Sequence, residues 1–328
     1  MKKISLLILS LVSLILFNRC SNEIDINAPY QQITIVYGLL DPNEDTTYLK
    51  INKAFLGEDN ALVMAKIPDS SQFVEKLDVR IWPEDNPENI FYFDTITITN
   101  KEDGIFYNPN QIIYFSALKP EVDKKYILGI VYDETELGSE TSTFDFQTYD
   151  ITTPGFAKKI RIDNTVDPKP VIWNRKEEAP RYNVVIRFNY KELKEGSTDT
   201  IYRYFDWHRD IQKAVAGEEV ESYYTGNTFY VALDTYVAYE DPDVEATIAT
   251  RYTSTIEYII EAGGKELNTY MEVNEPSSSI IQERPEYTNI TNGIGIFSTR
   301  SRAVKTKILS DVSVSYIKEN YHYLKFQY

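Results

Sequence analysis

The chain has 328 residues, of which 50 are acidic and 34 basic, a formal charge of −16. So acidic a body is repelled by phosphate backbones, and no cluster of Lys and Arg interleaved with aromatics offsets this, so nucleic acid is excluded as an expected partner. A single cysteine excludes disulfide staples within the chain, and 26 Tyr and 15 Phe against 13 Gly and 3 Met lean the composition towards β structure.

The N-terminus sets the compartment. Lys2 and Lys3 precede a run from Ile4 to Phe17 that is apolar apart from three serines, and Cys20 follows directly on Asn18 and Arg19. The run is too short to span a bilayer comfortably and has the flanks of a secretory leader, residues 1–19. Residues 20–29 then read as a polar tether. Cutting before Cys20 removes Lys2, Lys3 and Arg19 and no acid, making the remainder three charges more negative than the whole chain.

From Gln32 the pattern alternates. Ile33, Ile35, Tyr37 and Leu39 share one face, Thr34 and Val36 take the other, and Asp41, Pro42 and Asn43 turn the chain. Further strands are expected at Thr47 to Ala54, Leu77 to Trp82, Ile90 to Thr99, Gln111 to Ser116, Tyr126 to Tyr132 and Ser142 to Thr148, separated by turn formers such as Pro83 to Pro87 and Asn108 to Asn110. Short strands at this spacing, with no helical period between them, predict a β-sandwich over residues 30–148.

Thr152, Thr153, Pro154 and Gly155 read as a linker into a second domain, 149–328, in which Ile160 and Ile162 restart a strand. Tyr182 to Tyr190 and Asp199 to Asp210 are strand candidates, and Trp173 is expected to pack in the same core. The period then changes: Phe229, Ala232, Leu233, Tyr236 and Val237 share one helical face. A strand from Ala249 to Ala262 follows, with a short helix around Leu267, Tyr270 and Met271. Pro276 to Phe297 reads as a long loop, ahead of final strands near Lys305 to Leu309 and His322 to Phe326. The fold class is therefore mainly β, an immunoglobulin- or fibronectin-like sandwich followed by an α+β domain.

Three resemblances sharpen this. Leu118, Pro120, Tyr126, Leu128, Ile130 and Phe144 resemble the later strands of fibronectin type III domains, which are more often adhesive or architectural than enzymatic. Cys20 at the end of the leader resembles the lipid-modified cysteine of bacterial lipoproteins, with Phe17, Asn18 and Arg19 in place of the usual leucine and small residues; Arg19 is the poorest fit. Together with the helix at Phe229 to Val237, the approach to Asn292-Gly293-Ile294-Gly295-Ile296-Phe297 and the closing Tyr323-Leu324-Lys325-Phe326, the chain resembles uncharacterised envelope lipoproteins of the Bacteroidota. These are families of unknown function often encoded beside TonB-dependent outer-membrane receptors. The resemblance implies lipidation at Cys20, an outer-membrane location, and no catalytic residues or cofactor. It implies a binding or assembly accessory, with an outer-membrane β-barrel or TonB-dependent receptor as partner.

Candidate sites are few. His208 and His322 are the only histidines, with no HExxH or triad pattern around them. Asp206 and His208, two apart on one strand face, form a candidate acid–base pair, although a solvated polar face accounts for them more simply. Glu240, Asp241, Asp243 and Glu245, like Asp41, Asn43, Glu44 and Asp45, carry oxygen ligands for Ca²⁺ but lack the spacing and glycine of an EF-hand. Gly293-Ile294-Gly295 has neither the surrounding strand-turn-helix nor the lysine of a phosphate loop. Tyr202, Tyr204, Trp207, Tyr223 and Tyr224 concentrate aromatic surface suited to gripping a protein partner or stacking on a glycan, the second functional expectation.

Overall fold

The computed structural model describes residues 33–54, 61–73, 75–100, 104, 107, 110–214, 217–275 and 286–327. The leader 1–19, Cys20 and the tether 20–29 lie outside the described residues. Among those described, no helix is long and apolar enough to cross a membrane.

The chain is mainly β and forms several sheets. Its first half contains β1 (Ile33–Leu40), β2 (Thr47–Ala54), two single-turn helices α1 (Ala61–Met64) and α2 (Pro68–Ser71), β3 (Asp78–Pro83), β4 (Phe91–Tyr92), β5 (Asp94–Ile98), β6 (Gln111–Ser116), β7 (Lys125–Tyr132) and β8 (Thr135–Ser142). The second half contains β9 (Ile151–Thr153), β10 (Lys159–Ile160), β11 (Pro168–Asn174), β12 (Arg181–Lys194), β13 (Thr200–His208), β14 (Gln212–Lys213), β15 (Glu219–Thr225), α3 (Gly226–Val237), α4 (Pro242–Ala246), β16 (Ile248–Gly263), α5 (Lys265–Asn274), β17 (Ile294–Leu309), α6 (Asp311–Asn320) and β18 (Phe326–Gln327).

One hydrogen-bonded path runs β13-β12-β16-β17-β1-β2-β6-β5, while β4-β3-β7-β8 and β15-β11-β9 form smaller sheets. Two cores lie against the long sheet. In the first, Val36, Leu49, Ile51 and Tyr114 of the long sheet meet Val79, Ile81, Leu128, Ile130 and Leu137 of the β3-β7-β8 sheet. In the second, Tyr182, Val184, Ile186, Phe188, Tyr258 and Ile260 meet Val171, Trp173, Val220 and Tyr224 of the small sheet and Phe229, Tyr230 and Leu233 of α3. Each such side chain, fully removed from water, contributes on the order of 1.5–3 kcal/mol.

β17 joins the two. Its first half pairs in parallel with β1, Ile294 to Thr299 against Ile35 to Leu40, and its second half pairs antiparallel with β16. Period two puts its odd residues on one face, so Phe297 enters the first core while Ala303 and Leu309 enter the second. The Asn292-Gly293-Ile294-Gly295 motif is what lets this strand begin. Gly295 has φ +114°, and a Cβ there would stand 2.0 Å from the Val36 carbonyl oxygen. At Gly293 a Cβ would meet Leu137 at 2.7 Å and the Thr34 oxygen at 2.9 Å. The glycines serve backbone approach rather than ligand binding.

The structure departs from the sequence expectations at identifiable places. The strand expected at Ser142 to Thr148 lies earlier, at Thr135–Ser142, because β8 pairs with all of β7 although only Leu137 and Thr141 of it are buried. Ile294 to Phe297, expected as loop, is strand, whereas 276–285 lies outside the described residues. Asp311–Asn320, where no element is expected from the sequence, is a helix: Ser310 caps the first turn by accepting from the Ser313 N–H, and Val314 and Ile317 face inward. His322, expected in a strand, sits in a 3-10 turn.

Candidate functional site

The tyrosine-rich candidates are split by the strands that carry them. In β13 the odd side chains face the second core: Phe205 is buried against Tyr236, and Trp207 meets Tyr224 and Phe229 at centroid distances of 6.0 and 6.3 Å. Tyr202 and Tyr204 point the other way and are exposed by 73% and 58%. Tyr224 faces the core from β15, where its hydroxyl shares a 2.9 Å hydrogen bond with that of Tyr258, and burial raises its pKa. It is a packing residue, a correction to its expected place on a binding surface. Tyr223, its neighbour, is exposed on the far face of β15 and hydrogen-bonds Glu221. Tyr202 and Tyr204 therefore share a surface, and Tyr223 occupies another.

The surface around Tyr202 and Tyr204 is preorganised. The Arg187 guanidinium lies 4.1 Å from the Tyr204 ring centroid and Lys191 Nζ 5.3 Å from that of Tyr202. Arg187 is fixed in turn by two bonds to Asp206, 2.6 Å from Nε to Oδ1 and 2.8 Å from Nη2 to Oδ2. The Arg187 hydrogen bonds outweigh burial and hold the Asp206 carboxyl below its ordinary value. Asp206 is thus an ion-pair partner of Arg187 rather than the base of an Asp–His pair. Among the described residues β13 ends the long sheet, pairing with β12 on one side only.

A second polar assembly lies on the core side. Phe188 pairs with Ile256 but Tyr190 pairs with Thr253, so β16 spends one extra residue, a bulge. The bulge shifts the period and turns Arg251 to the side that Ile256 and Tyr258 face. There Arg251 Nε donates to Glu192 at 2.9 Å, Nη1 and Nη2 donate to Glu245 at 2.8 and 2.7 Å, and Nη1 also reaches the Leu324 carbonyl at 3.0 Å. Tyr239 and Arg203 complete Glu192 at 2.8 and 3.3 Å. Burial by itself would raise the Glu245 pKa, but Arg251 and the Tyr239 N–H outweigh it and lower the net value. Both oxygens of each carboxylate are engaged, so this assembly binds β12, α4, β16 and the C-terminus together and offers no group for proton transfer.

Both acidic loops considered for Ca²⁺ are likewise spoken for. Asp241 accepts from the Asp243 N–H and Glu245 holds Arg251, while Asp41 accepts from the Asn43 N–H and Arg300, and Asp45 pairs with Lys119 at 2.7 Å. Among the described residues no group of three or more His, Cys, Asp or Glu side chains is arranged to hold a metal ion.

A well-formed concavity lies elsewhere, on a surface that sequence reasoning missed. A groove of about 630 Å³ runs between the outer face of β1, β2 and β6 and helix α5. Tyr37, Leu39, Tyr48 and Ile113 form its floor, Leu267, Tyr270 and Met271 its wall, and Asp41, Glu44 and Arg300 its end. The strand face with the greater apolar content in β1 is this one, since the buried face carries Thr34, Val36, Gly38 and Leu40. Tyr37 and Tyr270 meet edge to face at 6.3 Å, and burial together with the Tyr270 hydroxyl pushes the Tyr37 phenol up to about 12. α5 is held in place from both ends: Ser298 donates to Glu266 at 3.0 Å and accepts from the Leu267 N–H at 3.1 Å, and Arg181 clasps Glu275 at 3.1 Å. The visible sequence signal was the alternation Ile35, Tyr37, Leu39; what it could not indicate was that this face stays open.

No protein-family model matches the chain, and no curated protein matches it. Among solved structures the chain is similar to one described as the crystal structure of CBD12 from CALX1.2, with 7% identity, covering 83% of this chain and all of that one, at a TM-score of 0.16. A likeness of that degree carries no argument about fold or function.

Proposed function

We propose that this protein is a lipid-anchored, non-enzymatic binding or assembly accessory of an outer-membrane transporter or similar envelope complex. Lipid on Cys20, after removal of residues 1–19, holds it to the outer membrane through the tether 20–29. More than one acyl chain makes such attachment effectively stable. The two halves, 30–148 and 149–328, are read as an immunoglobulin- or fibronectin-like sandwich and an α+β domain that share a sheet through β17.

The observation that carries the reading is the free edge of β13, nine residues long, flanked by the exposed rings of Tyr202 and Tyr204. An unpaired edge offers a row of backbone donors and acceptors to an extended segment of a partner, and aromatic anchors with stacked cations add affinity beside it. The partner proposed is an outer-membrane β-barrel of the TonB-dependent receptor kind.

Mild-detergent purification of the tagged protein from its native membrane, with mass spectrometry of its N-terminus and of co-purifying chains, tests this. A lipidated Cys20 and a stoichiometric barrel partner that is lost on Ile201→Pro are expected. An unlipidated chain recovered alone overturns the reading.

A further inference from the structure

We propose that the groove between the outer face of β1, β2 and β6 and helix α5 is a binding site for a neutral oligosaccharide. This is a second site, separate from the β13 edge and independent of the accessory role. The groove falls in the size range of sites that take small ligands, and like them it is walled mainly by apolar groups with a few polar groups at one end.

The chemistry of that end selects the ligand. Over the whole groove the charged residues are two acids and two bases, Asp41 and Glu44 against Arg300 and, beside Tyr37, Lys50, so a ligand carrying net charge of either sign gains no complementarity. Asp41 is already bound to Arg300 Nε at 3.1 Å, and the Arg300 side chain is 46% exposed. Among the described residues Arg300 engages Asp41 through Nε, which leaves its terminal nitrogens as donors, while the exposed Glu44 supplies an acceptor. A group that both donates and accepts, a hydroxyl, satisfies this pair.

The floor matches the other side of such a ligand. A pyranose ring has an apolar face of C–H groups bordered by hydroxyls, and Tyr48 and Tyr37, 56% and 38% exposed, supply flat apolar faces with polar tips. Tyr37 is already fixed edge-on by Tyr270, so little side-chain freedom is lost when a ring settles on it.

The test is isothermal titration calorimetry of the full mature chain with linear neutral oligosaccharides of glucose, mannose, galactose and xylose, and with decanoate and a uronic-acid oligosaccharide as competitors of different chemistry. At least one neutral oligosaccharide is expected to bind. Tyr48→Ala is expected to weaken it tenfold or more, about 1.4 kcal/mol. Tyr48→Phe, which keeps the ring, stays within about threefold, Glu44→Gln loses about threefold, and Tyr202→Ala leaves binding unchanged. Tyr48 and Glu44 are exposed, and circular dichroism of each variant checks that it is folded. The proposal is overturned if no neutral oligosaccharide binds at millimolar concentration, if Tyr48→Ala binds as well as the parent, or if decanoate or the uronic-acid oligosaccharide binds more tightly.

Discussion

The long sheet shows two chemistries on one outer face, separated by helix α5. At the β13-β12-β16 end the outward side chains answer one another: Arg187 with Asp206, Asn183 with Glu261 at 2.9 Å, Asn189 with Thr255 at 3.0 Å. At the β1-β2-β6 end they are tyrosine and aliphatic, and they enclose a groove instead of pairing. A face that satisfies its own polar groups tolerates water and presents little to a small ligand, so the proposal for that end rests on the strand edge. A face left apolar and walled on one side retains its recognition capacity for a ligand. Proximity in the sheet does not equalise function, because each strand's alternation sets its outward chemistry separately.

The largest effect is expected from removing what orders the β13-β12-β16 end from beneath. Arg251→Met leaves the buried Glu192 with only the part-exposed Arg203 and the half-buried Glu245 without its guanidinium, and is expected to cost about 3–5 kcal/mol in urea unfolding. Gly295→Ala attacks the junction instead. With φ at +114° and the Val36 oxygen in the way, a loss of more than about 2 kcal/mol is expected, with increased hydrogen exchange in β1 and β17 together. An unchanged urea midpoint would mean that the β1–β17 pairing does not hold the two ends as one sheet.

Smaller effects sharpen the contrast. Asp206 and Glu245 are held below their ordinary values of 3.8 and 4.5, so the stability they contribute is fully present above those values and is lost as pH falls below them. The melting temperature is expected to drop on acidification through that range, and Asp206→Asn should flatten part of the fall. A curve identical to that of the parent would remove Asp206 from the account. Smallest of all, Tyr202→Ala is expected to change stability by no more than about 0.5 kcal/mol, measured by urea titration, while weakening capture of the barrel partner proposed above.

Period-two alternation was enough to place most of the strands. Thr47–Ala54 and Gln111–Ser116 fall where expected, and the helical face of Phe229, Leu233 and Val237 is buried as its spacing predicts. These elements were readable because their periods arise within the segment itself. The helix Asp311–Asn320 was not, because it is decided by a cap and by which residues face inward. Tyr202 and Tyr204 were recognisable as surface, but the inward turn of Tyr224 depended on which face of β15 met α3 and Trp207.

By itself the sequence determined the β character and the acidic charge, since these follow from composition and from local order along the chain. Only the tertiary structure decided that Ile294–Leu309 is one strand feeding two cores, that a bulge turns Arg251 inward, and that Tyr37, Tyr48 and Tyr270 meet around a groove. Those outcomes rest on contacts between residues up to more than two hundred positions apart, such as Tyr270 with Tyr37, and on which of two possible faces each strand buries. Alternation alone defines two faces, and packing chooses between them.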